Sequence, residues 1–195
     1  MSTNCVFCKL DYSLPENTII EETTSFRIIP GTGALVEGYL LIVSKRHLLA
    51  MSDLSPAEQR EYRYLIKKYR AKFKSVYNQF PIIFEHGSPD SKSHISANSV
   101  NHAHTHIMNH QFTNESRILQ KINLQPCNFL NLYVNTRNYV FYLNPQNQPY
   151  ISFDFPPTSQ LMRRLIAEDL KIPSQYNWRQ NNFDANILKT LQNFQ

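Results

Sequence analysis

Short apolar runs punctuated by turn residues alternate along this chain with helical stripes. Ser25 to Ile29 reads as a first short strand, Pro30 to Gly38 as a Gly- and Pro-marked connection, and Tyr39 to Val43 as a buried strand. At Ser55-Pro56-Ala57-Glu58 an N-cap serine, a first-turn proline and a glutamate at N3 open a helix that runs to about Asn78. Tyr62, Leu65, Ile66, Tyr69, Phe73 and Val76 recur in it at helical spacing, which predicts core packing. Phe80 to Glu85 reads as the next strand, ending at His86-Gly87, and the polar stretch Ser88 to Asn98 as a loop. Beyond His110 the pattern predicts a short helix over Glu115 to Ile122. Three strand-like runs follow in a meander, Asn128 to Asn135, Tyr139 to Leu143 and Tyr150 to Phe155. A helix over Thr158 to Leu170 is stopped by Pro173, and Phe183 to Leu191 reads as another helix.

Composition narrows the class. At 195 residues, 42% hydrophobic and 18% charged, the chain has the length of one domain with room for an appendage and the make-up of a folded protein. Met1-Ser2-Thr3-Asn4-Cys5 has neither the basic region nor the apolar core of a secretory signal, and no apolar run reaches membrane-spanning length. A cytoplasmic location without a membrane partner is the expectation. The net charge of +5 is a mild imbalance that phosphorylated small molecules suffice to explain. The densest basic run, Lys67 to Lys74, lies in the predicted helix and reads first as a solvated face, so nucleic acid is not an expected partner. Three cysteines, an odd number, argue against a disulfide framework. Cys127 reads as a small core residue. Cys5 and Cys8 differ, because C-x2-C lets two thiolates reach one metal and makes half a zinc site.

The candidate chemistry concentrates in Ser99-Val100-Asn101-His102-Ala103-His104-Thr105-His106-Ile107-Met108. In a strand, side chains two apart share a face, which would align His102, His104 and His106 with successive ones spaced about 6.6 Å along the strand. This His-x-His-x-His-x-x stretch resembles the signature of the histidine triad (HIT) family of nucleotide hydrolases and transferases. Cys5-Val6-Phe7-Cys8 resembles the paired cysteines near the start of many members. Gly38 to His47 resembles the strand that ends in the family's fourth histidine, and Phe84-Glu85-His86-Gly87 its next core strand and turn.

The resemblance implies an α+β HIT-like fold, a mostly antiparallel sheet packed with helices. Residues 1–110 would form the core and residues 111–195 a C-terminal extension packed on it. It implies hydrolysis at the α-phosphate of a nucleotide or nucleotide conjugate through a covalent nucleotidyl-histidine, with His104 as nucleophile. His106 would contact the phosphate or assist the leaving group, and Ser99 would contact the scissile phosphate. The chemistry suits imidazole, which stays largely neutral at pH 7, is not repelled by phosphate and keeps a lone pair for attack. Related transferases usually carry glutamine where His106 stands, which tilts the chain toward hydrolysis. A nucleotidyltransferase and a zinc-stabilised nucleotide-binding module without turnover stay open.

In members with the paired cysteines, zinc is completed by the fourth histidine and the first triad histidine. Cys5, Cys8, His47 and His102 are therefore the implied ligands of a closed, structural zinc. The competing reading has His47 and His102 only supporting the nucleophile through hydrogen bonds. Family members are often homodimers, so a second copy of the chain is a candidate partner. One departure is that the acid usually placed on the ribose hydroxyls falls near Gly31, which leaves the base specificity open. The tail around Leu161 to Pro173 with Trp178-Arg179 resembles tails of some larger HIT-like proteins. It would cover the site, supply basic residues such as Arg163 and Arg164, or complete the fold. His86 would approach the site or cap its strand, and His94 and His110 read as exposed polar residues.

Overall fold

The computed structural model describes residues 5–88, 99–134 and 136–195. Its frame is one antiparallel sheet of eight strands: β1 (Glu21–Glu22), β2 (Phe26–Pro30), β3 (Tyr39–Ser44), β4 (Ile82–Gly87), β5 (His104–Met108), β6 (Gln125–Pro126), β7 (Tyr139–Leu143) and β8 (Pro149–Ser152). They lie in the order β1-β2-β3-β5-β4-β7-β8-β6. The histidine strand β5 is thus central, with Val43 beside His104 and Leu41 beside His106 on one flank, and Phe84 beside His106 on the other. Strands β7 and β8, both beyond residue 110, extend this same sheet from β4.

Alternation divides the sheet into two apolar faces. The back face carries Leu40, Ile42, Ile83, Ile107 and Phe141 and is covered by helix α1 (Pro56–Tyr77) through Tyr62, Leu65, Tyr69 and Phe73. Helix α1 forms where the sequence signals it. The Ser55 side chain accepts the Glu58 N–H, Glu58 caps the Ser55 N–H in return, and Asn78 closes the far end in a left-handed conformation. The front face carries Leu41, Val43, Ile82, Phe84 and Met108. It is covered by the segment around Cys5 and Phe7, by helices α2 (Glu115–Lys121) and α4 (Leu161–Asp169), and by one side of helix α5 (Asp184–Phe194).

Several expectations change: Val76 is exposed and not part of the core face of α1, and the strand expected over Tyr150 to Phe155 ends at Ser152. Asn128 to Asn135 is not a strand over its described part; helix α3 (Phe129–Tyr133) occupies it, and Asn135 lies outside the described residues. Asn128 accepts the N–H groups of Leu130 and Asn131 while Asn131 accepts the Asn128 N–H, a reciprocal cap that outcompetes the apolar alternation. Helix α4 begins at Leu161 and not at Thr158, because Gln160 sits at φ 61 and breaks the helical run. No helix among the described residues is long and apolar enough to cross a membrane.

Candidate active site

Strand β5 sends His104 and His106 to the front face, where both line a cavity of about 240 Å³. Tyr39 and His86 add to its wall from neighbouring strands, and Arg163 and Trp178 from the C-terminal segment. The ring centroids of His104 and His106 lie 4.8 Å apart, and His106 stacks on Phe84 at 4.4 Å.

The two imidazoles have different Nδ1 partners. His104 Nδ1–H donates to the His102 carbonyl at 2.6 Å, so its Nε2 keeps the lone pair. His106 Nδ1 lies 2.6 Å from the Tyr39 hydroxyl. That hydroxyl also accepts from Arg163 Nη1 at 3.2 Å. Burial is the first cause holding these rings uncharged. It lowers His104 to about 4 against the carbonyl bond that favours its protonated form, and pushes His106 well below its ordinary value, helped by His104, His86 and Arg163.

His86 is also buried, held down to about 3 by desolvation, and its Nε2 accepts the Met162 N–H at 3.3 Å. It reaches the cavity, as one of the two expectations had it, and docks the start of α4 on the sheet. His110 is not exposed. It is 7% accessible, with Nε2 3.2 Å from the Asp169 carboxylate, because α4 packs over the end of β5. His94 lies outside the described residues. Ser99 lines the cavity; its Oγ accepts Trp178 Nε1–H at 3.1 Å and its carbonyl accepts Arg179 Nη2 at 3.0 Å. Arg164 turns away, stacking on the Tyr176 ring at 3.6 Å.

Beside the cavity, Cys5, Cys8, His47 and His102 bring their ligand atoms within 4.8 Å of one another, a cluster that could hold a metal ion. Cys5 Sγ and Cys8 Sγ lie 3.2 and 3.6 Å from His102 Nδ1, and Cys8 Sγ lies 3.2 Å from His47 Nδ1. Metal–ligand bonds of about 2.0–2.3 Å in a tetrahedron require ligand separations of roughly 3.3–3.8 Å; the Cys8–His102 pair falls in that range, the two 3.2 Å pairs fall just short of it, and the widest separation allowed by the cluster exceeds it. His102 Nε2–H donates to the Ser44 carbonyl at 2.7 Å, so its Nδ1 lone pair faces the sulfurs. Burial, and then Cys5, raise the Cys8 thiol above its ordinary value, the cost that a bound cation removes. Phe7, on the turn between the cysteines, packs against both His102 and His104.

An antiparallel α+β sheet presenting alternate histidines to a cavity, next to a Cys2His2 cluster, is the architecture of a histidine triad protein. The HIT domain family model matches residues 14–113, just over half of the chain, and the chain belongs to that family. No curated protein matches it. Among solved structures it is similar to a hypothetical protein from Leishmania major (22% identity over 55% of this chain and 74% of that one, TM-score 0.45). It is also similar to a histidine triad protein from Clostridium difficile (21% identity, 58% and 97% covered, TM-score 0.44). A third is a Zn-bound histidine triad family protein from Mycobacterium smegmatis (16% identity, 59% and 81% covered, TM-score 0.43).

Tyr39, Arg163 and Trp178 carried no assigned role in the sequence, apart from Arg163 as one candidate basic residue. The available signal was Arg163 itself, which shares a helix face with Ile166 and Ala167, where a surface arginine would not stand.

Proposed function

We propose that this protein is a nucleotide phosphohydrolase that works through a covalent intermediate on His104. The carrying observation is the 2.6 Å bond from His104 Nδ1–H to the His102 carbonyl, which leaves an uncharged Nε2 lone pair in a ring lining the cavity. Nε2 attacks the α-phosphorus, a P–N bond to His104 forms, and the bond from phosphorus to the leaving oxygen, or to the leaving nitrogen of a phosphoramidate, breaks with its electron pair going to that leaving atom. His106 Nε2–H donates toward the leaving oxygen or a phosphoryl oxygen, and Ser99, which also lines the cavity, would offer its hydroxyl to the phosphate. Water then attacks phosphorus and gives a proton to the His106 Nε2 that donated in the first step, the P–N electrons return to His104 Nε2, and the nucleoside monophosphate leaves. Both rings are neutral before substrate arrives, so His104 keeps the lone pair that attacks and His106 the single proton that it offers.

Cys5, Cys8, His47 and His102 would hold zinc, whose four protein ligands leave no position for substrate, so its contribution is structural. The ion would fix His102, whose carbonyl in turn orients His104. A cavity of about 240 Å³ suits a small phosphorylated group.

The test is turnover of a panel of dinucleoside polyphosphates, nucleoside phosphoramidates and nucleoside phosphate esters by the parent and by His104→Ala. Hydrolysis of at least one member, lost by more than about 10³-fold in the variant, supports the reading. No turnover, or equal turnover by the variant, defeats it. Capture of the nucleotidyl group by added inorganic phosphate faster than by water would make the enzyme a transferase.

A further inference from the structure

Arg163 is a buried cation whose hydrogen bonds go only to uncharged oxygens. It is 3% accessible, with Nε donating to the Tyr176 carbonyl at 2.9 Å, Nη2 to the Gly33 carbonyl at 2.8 Å and Nη1 to the Tyr39 hydroxyl at 3.2 Å. Among the described residues no carboxylate forms an ion pair with it. Burying a charge without a counter-ion is costly, and a residue serving packing alone would not be an arginine. The surroundings are shaped to admit it: Gly33 has φ 67, and a Cβ there would come within 2.9 Å of Arg163 Nη2 and 2.6 Å of Trp178 Cβ.

A guanidinium has only donors. Its bond to Tyr39 therefore consumes an acceptor site of that hydroxyl and directs the single phenolic proton to His106 Nδ1, 2.6 Å away. Tyr39 is itself 1% accessible, so no solvent competes for this proton. We propose that Arg163, delivered by α4 of the C-terminal segment, is a positioning residue for His106: acting through Tyr39, it holds that imidazole with its proton on Nε2, toward the cavity. His104 is fixed the opposite way by the backbone. Neighbouring rings of one strand thus present a lone pair and a proton side by side, and the proton-bearing half depends on residues beyond the segment that carries the triad. The arginine's charge also works against His106 gaining a second proton, so a single tautomer persists.

The assignment of catalytic use rests on the proposed hydrolysis, but the tautomer does not, so the two fail separately. Two-bond ¹H–¹⁵N correlation spectra of the full, unliganded, zinc-loaded chain read the protonated nitrogen of each histidine. His106 is expected as the Nε2–H tautomer in the parent, as a mixture in Tyr39→Phe and Arg163→Met, and restored toward Nε2–H in Arg163→Lys, which keeps a donor-only cation. Tyr39→Phe removes only a hydroxyl and serves if Arg163→Met does not fold. An Nδ1–H tautomer in the parent, or an unchanged Nε2–H tautomer in folded Arg163→Met and Tyr39→Phe, overturns the proposal.

Kinetics supply the second readout. With a nucleoside 5′-phosphate alkyl ester, whose leaving group needs a proton, kcat of Arg163→Met should fall at least about tenfold. With the p-nitrophenyl ester, whose leaving group does not, it should fall less than about threefold. Equal losses on both esters would indicate a structural role only and contradict the proposal.

Discussion

Replacing Glu85 by glutamine should make the protein more stable, and increasingly so as pH rises. Glu85 lies on β4, facing away from the cavity, and is 1% accessible. Its Oε1 accepts the Met51 N–H at 2.7 Å and its Oε2 the Tyr139 hydroxyl at 2.8 Å. Burial outweighs both bonds and raises the carboxyl from 4.5 to about 8, with Asp53 adding to the rise. Between those values the native state holds a proton that the unfolded chain has released, so stability falls with rising pH across the window and the penalty is complete above it. The full gap corresponds to about 5 kcal/mol, and the part falling between pH 6 and pH 8 to about 2 kcal/mol. Glutamine cannot ionise and still offers an oxygen to the Met51 N–H. Urea unfolding of parent and Glu85→Gln at pH 6, 7 and 8 in the same zinc-containing buffer measures the difference, and metal effects common to both cancel. The advantage of the variant should widen by about 2 kcal/mol from pH 6 to pH 8. Parallel profiles would refute the claim that Glu85 is protonated in the native state.

Other perturbations follow from single contacts. Cys8→Ser should lose about one equivalent of bound zinc, measured by elemental analysis, and unfold at a lower temperature than the parent. Gly87→Ala places a Cβ into the Tyr139 ring, so it should cost at least about 2 kcal/mol in urea unfolding while Gly31→Ser, against the Tyr39 ring, disturbs the cavity side of the sheet. Trp178→Phe keeps an aromatic ring, though a smaller one, and removes the N–H that binds Ser99 Oγ, and the loss of one such bond should raise KM for a nucleotide ester about fivefold.

Elements built from local signals were legible in the sequence. Helix α1 announces itself through Ser55, Pro56 and Glu58, and strands β2, β3 and β4 fall within two residues of the apolar runs that predict them. The lateral order of β5 among them, and with it the cavity, depends on pairings between distant segments. The same holds for His110, which reads as a polar surface residue until Asp169 at the end of α4 is brought against it. Helix α3 was missed for the opposite reason: two asparagine caps decide it, and an apolar alternation conceals them. The Cys5, Cys8, His47 and His102 set follows from family resemblance and meets in space, whereas the link from Arg163 through Tyr39 to His106 joins three segments with no common motif.

The most direct measurement is intact-protein mass spectrometry after rapid acid-free quenching of turnover with a nucleoside 5′-phosphoramidate, followed by peptide mapping. A mass increase equal to one nucleoside monophosphate less water, mapped to His104 and absent from His104→Ala, is the expected result. Steady turnover with no such adduct, or an adduct carried by another residue, would contradict the assignment of His104 as the nucleophile.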